Sequence, residues 1–311
     1  MQRRLKWIIP LVLVLIVLMV YLWPVPSVPF DELFSKADPD KVASLNKFRQ
    51  NHPLQRLEVN RVPWEYVAFG QGDETILFLH GMTGAHDIWW QQMNALQDRY
   101  RVVSVTYPPV DTLAELSEGV RAILQQEGIS RVNIVGSSLG GYLSQYLVAS
   151  HPEMVERVVL GNTFPPNDII AEKNRSIGAL LPYLPEWLVI KVFRGSFRDN
   201  VYPAAGYDEL TLAYMLEQSY GRMSKAQVVG RFHCVIDPFT PPDLAALGIP
   251  AMIIEADNDP LVEKTLREQL KATYPSATVH TLHNVGHFPY LNHPEEYTKL
   301  LTAFLATPVA Q

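Results

Sequence analysis

The stretch VNIVGSSLGGYLSQ, Val132–Gln145, decides the fold. Its first four residues are mostly β-branched and apolar, as in a strand buried on both faces, and from Leu139 the apolar spacing becomes helical. Between strand and helix the chain places Gly136-Ser137-Ser138-Leu139-Gly140, which fits the pattern G-x-S-x-G. In such a turn the serine at the tip is held in a strained backbone conformation. The residues two before and two after it must lack side chains so that strand and helix can approach. Gly136 and Gly140 meet that requirement for Ser138; centred on Ser137, the same places fall to Val135 and Leu139. The start of the helix also aims unsatisfied amides at the serine.

A serine hydroxyl is a weak nucleophile and needs a base within hydrogen-bond reach and a group that orients the base. Downstream, HNVGHFPYLNHPEEY offers His283, His287 and His293. His287 follows a strand and a glycine-bearing loop and precedes the last helix, where it can swing over the sheet edge; His283 lies close to the strand end and His293 enters the helix. The segment IIEADNDPLVE supplies the acid. Asp259, held extended before Pro260, is placed to reach His287, with Asp257 the alternative and more suited to capping the turn. LFLHGMTGAHDIWW follows an earlier strand, and there the amide of Met82 pairs with that of Leu139 to form an oxyanion hole, each donor contributing about 3 to 4 kcal/mol. His80 is read as a brace for this loop. The chemistry calls for no cofactor, and the scattered histidines lack metal-ligand spacing, so no metal site is expected.

The remainder of the chain alternates short apolar strands with helical stretches, the pattern of βαβ units and a parallel sheet. Residues 54–163 and 243–311 form this core. Residues 164–242 interrupt it with an aromatic- and proline-rich insertion of lid size, in which Tyr183, Trp187, Phe193, Phe197, Tyr202, Tyr207, Tyr214 and Tyr220 are candidates to wall an apolar pocket or to pack the lid. Residues 31–53 read as a short stalk helix. Residues 1–30 read as a membrane anchor and proline-rich neck: Arg3, Arg4 and Lys6 precede an apolar run from Trp7 to Trp23, long enough for one transmembrane helix. An uncleaved signal anchor of that polarity leaves the domain on the non-cytoplasmic side; the alternative is a cleaved signal peptide, whose apolar region is ordinarily shorter and followed by a small-residue cleavage site. With a net charge of -6 and scattered basic residues, nucleic acid is excluded as a partner. A single cysteine, Cys234, cannot form an internal disulfide and reads as a small buried apolar residue. Nothing indicates oligomeric state.

The loop at His80-Gly81, the Ser138 elbow, Asp259 and His287, in the order Ser, Asp, His, resemble the α/β-hydrolase superfamily over about residues 55–306. YRVVSVTYPPV, GSSLGGYLSQ and HNVGHFPYL are similar to its maspardin branch, where a short loop leads into YPPV in place of D-x-x-G-x-G. The resemblance implies an α/β-hydrolase fold, a mostly parallel doubly wound sheet with a helical lid. It also implies a serine hydrolase of carboxylic esters or similar small acyl substrates, acting through Ser138, His287 and Asp259. A serine at the elbow sets the chain apart from relatives that use aspartate there. The maspardin branch also implies an alternative, a non-catalytic interaction protein whose acid and histidine positions are replaced; this chain departs from it by carrying Asp259 and His287.

Overall fold

Alternate residues of the strand Thr75–Leu79 pack on opposite faces of a sheet, Leu77 and Leu79 into one half of the core and Ile76 and Phe78 into the other. All five are buried, which explains why the segment reads as an unbroken apolar run rather than an alternating one. The computed structural model describes the backbone of residues 2–307 and the side chains of residues 9–307. Eight strands, β1 Gln55–Val59, β2 Val62–Gly70, β3 Thr75–Leu79, β4 Arg101–Thr106, β5 Val132–Ser137, β6 Val155–Gly161, β7 Ala251–Ala256 and β8 Thr278–Leu282, form one sheet in the order β1-β2-β4-β3-β5-β6-β7-β8. β1 and β2 make a hairpin whose two-residue turn, Asn60-Arg61, has positive φ at both positions. β2 pairs antiparallel with β4, and from β4 to β8 every pairing is parallel.

Helices cover both faces. Leu113–Gln126, Leu139–Ser150 and Lys264–Thr273 pack with Leu77 and Leu79; Trp90–Leu96, Pro294–Leu305 and Pro39–Asn51 pack on the other side. Between β6 and β7 the chain makes four longer helices, Ile169–Leu180, Glu186–Ser196, Glu209–Glu217 and Lys225–Val235. They lie beyond the carboxyl ends of the parallel strands, the edge where open α/β sheets hold their ligands.

One N-terminal expectation is corrected and a second lacks support. The helix Pro39–Asn51 does not project as a stalk: Leu45 and Phe48 are buried against the sheet. Its Arg49 reaches into a buried cluster. Arg49 Nε and Arg222 Nη1 donate to Asp87 Oδ2 at 2.7 and 2.9 Å, and the Tyr214 hydroxyl donates to Oδ1 at 2.5 Å. Second, among the described residues no helix is long and apolar enough to cross a membrane, so the expected transmembrane helix is not supported. The first helix, Gln2–Tyr21, exposes apolar side chains from Leu11 to Tyr21. The side chains of Arg3, Arg4, Lys6 and Trp7 lie outside the described residues.

Asp87 ties the helix Pro39–Asn51, the loop after β3 and the lid into one unit. Burial alone would raise its carboxyl, but Arg222 and Arg49 outweigh that and hold it far below the usual carboxylate range. Asp87→Asn leaves two part-buried guanidinium groups with Glu217 as their remaining counter-ion and is expected to cost about 1 to 3 kcal/mol in urea unfolding at pH 7. A depressed folded value stabilises fully above the unfolded value, about pH 4, and the effect disappears as pH falls through the folded one. The gap between wild type and variant is therefore widest at neutral pH and narrows in acid.

Candidate active site

The elbow between β5 and the helix Leu139–Ser150 has the geometry its glycines demand. A Cβ on Gly136 would lie 2.3 Å from the carbonyl oxygen of Gly140, and one on Gly140 would lie 2.1 Å from that of Leu79. Ser138 sits between them at φ 54° and ψ -122°, a conformation that costs a non-glycine residue about 1 to 3 kcal/mol. Neighbouring strands hold it there. Its N–H donates to Gly161 O at 2.9 Å, and its carbonyl accepts from Thr163 Oγ1 at 2.7 Å.

His287 and Asp259 are brought together at the ends of β8 and β7. His287 Nδ1 lies 2.9 and 2.8 Å from the two Asp259 carboxylate oxygens, and both residues are buried. With Nδ1–H donated to the acid, Nε2 is the free nitrogen. The Asp259 turn is built by its own side chain, since Oδ1 accepts the amides of Leu261 at 2.8 Å and Val262 at 3.0 Å. The following helix begins only at Lys264. Burial pushes the Asp259 carboxyl up, but the pairing with His287 and the hydrogen bond from Asn162 more than offset it and leave the group below its ordinary value. The alternative acid, Asp257, is engaged elsewhere: its Oδ2 lies 2.7 Å from His283 Nδ1, in an exposed pair. His293 is also exposed.

Ser138 and His287 line one cavity of about 460 Å³ under the lid. Among the described residues no hydrogen bond joins them. Of the lid aromatics considered above, Phe193 and Phe197 line this cavity; Tyr214 packs on Asp87 instead, and Tyr183 and Tyr207 are exposed.

The loop after β3 carries Met82, whose amide is one of the two expected donors. Gly81 O is held by His80 Nδ1 at 2.6 Å and by the Gly84 amide at 3.1 Å. A trans peptide points its N–H opposite to its C=O, so this grip turns the Met82 amide the other way. Neither the Met82 nor the Leu139 amide has an acceptor among the described residues outside regular helix and strand pairing. The Tyr107 amide donates to His80 Nε2 at 3.3 Å, which leaves the ring hydrogen on Nδ1 for Gly81. Burial and then nearby Arg231 hold this imidazole well below its ordinary pKa, hence neutral.

Two residues at the site went unforeseen. Asn162, at the end of β6, donates to Asp259 Oδ2 at 2.8 Å and to Gly286 O at 3.3 Å, fixing the acid and the His287 loop together. Arg231, buried at the end of the lid, donates from Nη1 to Met82 O at 2.7 Å and Gly84 O at 3.1 Å, and from Nη2 to Tyr107 O at 2.8 Å. Burial lowers its pKa to about 10, so it remains a cation at neutral pH. Arg231→Met is expected to loosen the donor loop and lower kcat by about 10- to 100-fold with a smaller change in KM, as losing part of an oxyanion hole does; steady-state kinetics checks it.

The fold and this edge of the sheet define an α/β hydrolase. A family model described as the alpha/beta hydrolase fold matches residues 74–294, and the chain belongs to that family. It is 25% identical over 259 residues to maspardin of Danio rerio, covering 79% of this chain and 80% of the relative. It is 26% identical over 261 residues to a 2-hydroxy-6-oxononadienedioate/2-hydroxy-6-oxononatrienedioate hydrolase of Burkholderia vietnamiensis, covering 77% and 90%. Among solved structures, a hydrolase from Pseudomonas aeruginosa superposes with a TM-score of 0.69 at 21% identity, covering 82% of this chain and 99% of that one. That likeness bears on the fold alone.

Proposed function

We propose that this hydrolase cleaves a carboxylic ester or a similar small acyl compound through Ser138, His287 and Asp259. Ser138 Oγ attacks the acyl carbon while His287 Nε2 takes its proton; the Met82 and Leu139 amides hold the oxyanion, and Asp259 steadies the imidazolium. The alcohol leaves with that proton, and water activated by His287 then releases the acid. The observation that carries this reading is the buried His287–Asp259 pair beside the cavity into which Ser138 opens. Similarity to relatives named as hydrolases supports it. Similarity to maspardin favours a second reading, a binding protein on the same scaffold.

Rapid mixing with p-nitrophenyl esters separates the two. An enzyme is expected to release a burst of nitrophenol approaching one equivalent per chain, lost in Ser138→Ala. A folded wild type without burst or turnover supports the binding protein. The proposed location, at a membrane with the domain on the non-cytoplasmic side, rests on Arg3, Arg4, Lys6 and the apolar run after them. Alkaline extraction of membranes tests it; a chain released wholly to the supernatant contradicts an anchor.

A further inference from the structure

The cavity that holds Ser138 and His287 is walled by apolar side chains from both lid and core, among them Met82, Phe164, Ile170, Leu181, Phe193 and Phe288. Among the described residues that line it, two carry a charge, Lys173 and Glu263. They are bonded to each other, Lys173 Nζ donating to Glu263 Oε2 from the lid helix to the start of the helix Lys264–Thr273. Both are substantially exposed, so the pair sits at the rim. His287 is committed to Asp259. The other cations near the site are turned away from the cavity: Arg231 is spent on backbone carbonyls, while Arg49 and Arg222 serve Asp87 and Glu217. None of the three lines the cavity.

We infer that the site takes an uncharged, apolar substrate chain and rejects one that ends in a carboxylate, and that Glu263 sets this preference by neutralising Lys173. The inference rests on the proposed hydrolase reading and narrows its substrate class. A carboxylate carried into such a cavity gives up its hydration and meets neither a free cation nor a cluster of amides to replace it. An alkyl chain of the same length gains by leaving water. Discrimination therefore comes from a missing partner for the anion, a stronger device than the loss or gain of a methylene. Freeing Lys173 supplies part of that partner.

Two phosphonofluoridate ethyl esters test this directly on the full chain, one with a hexyl group and one with the same chain ending in a carboxylate. Each reacts by forming a bond from Ser138 Oγ to phosphorus as fluoride leaves and the hydroxyl proton passes to His287. Mass spectrometry follows the adduct with time. The neutral probe is expected to label at least about 100-fold faster than the acidic one, the scale set by an uncompensated carboxylate. In Glu263→Gln, which keeps the shape of the side chain and releases Lys173, the ratio is expected to fall about tenfold, and in Lys173→Ala it is expected not to fall. Equal labelling of wild type by both probes overturns the inference and leaves the hydrolase reading standing. An unchanged ratio in a folded Glu263→Gln overturns the role of Glu263. Failure of both probes to label a folded wild type removes the hydrolase reading and the inference with it.

Discussion

Ser138→Ala is expected to lower kcat by about five to six orders of magnitude with little change in KM or in thermal stability. The hydroxyl is the group that forms the acyl bond, and His287 without it has no proton to take. What remains is the donor pair and the binding cavity, which by themselves still accelerate hydrolysis roughly 10³- to 10⁴-fold over water. Stability is expected to hold because the strained backbone at φ 54° is fixed by Gly161 O and Thr163 Oγ1, bonds made by the Ser138 main chain that alanine retains. Single-turnover kinetics at high enzyme concentration measures the residual rate, and a thermal melt of the same sample shows whether the fold is intact. A fall of less than about tenfold would mean that another group carries the chemistry.

Asp259→Asn is expected to lower kcat by about four orders of magnitude, because an amide cannot enforce the ring tautomer that a carboxylate does. With its NH₂ facing Nδ1, the asparagine moves the imidazole hydrogen to Nε2 and leaves Ser138 facing a donor instead of a base. The substitution also meets resistance from the fold. Oδ1 accepts from the Leu261 and Val262 amides and Oδ2 from Asn162, so either orientation of the new amide sets N–H against N–H. That conflict is expected to cost about 1 to 3 kcal/mol in denaturant unfolding, separately from the loss of rate. The pH dependence has a definite sign. Because the folded carboxyl of Asp259 lies below its ordinary value, its stabilisation is complete above about pH 4 and is lost as pH falls through the folded value. The stability difference between wild type and Asp259→Asn should therefore shrink as solutions are acidified, which denaturation curves at several pH values check.

The elbow was legible because its requirement is local: two glycines flank one serine within five residues, and Gly136 and Gly140 touch carbonyls that leave no room for a Cβ. That Asp259, rather than Asp257, pairs with His287 was legible for a related reason, since Pro260 stands next to it and restricts its backbone. The strands β3, β5 and β7 were legible as short, mostly apolar runs because helices cover both faces. Asn162 and Arg231 carried no such mark. Each acts on backbone or side-chain atoms that only the folded sheet and lid bring near, and an asparagine after a strand or an arginine in a helix looks ordinary in isolation. The helix Pro39–Asn51 misled because its polar residues outnumber its apolar ones, yet Leu45 and Phe48 suffice to seat it on the sheet, with Arg49 anchored to Asp87. The lid aromatics divided between the cavity and packing for the same reason: ring composition announces burial and leaves its partner unspecified.

The convergence of Ser138, His287 and Asp259 on one reacting centre is tested most directly by intact mass after treatment with a fluorophosphonate, followed by peptide mapping. One adduct per chain on the peptide containing Ser138, absent in Ser138→Ala and formed at least about 1000-fold more slowly in His287→Ala, is the predicted result. A folded wild-type chain that stays unlabelled, or an adduct on any other residue, would contradict it.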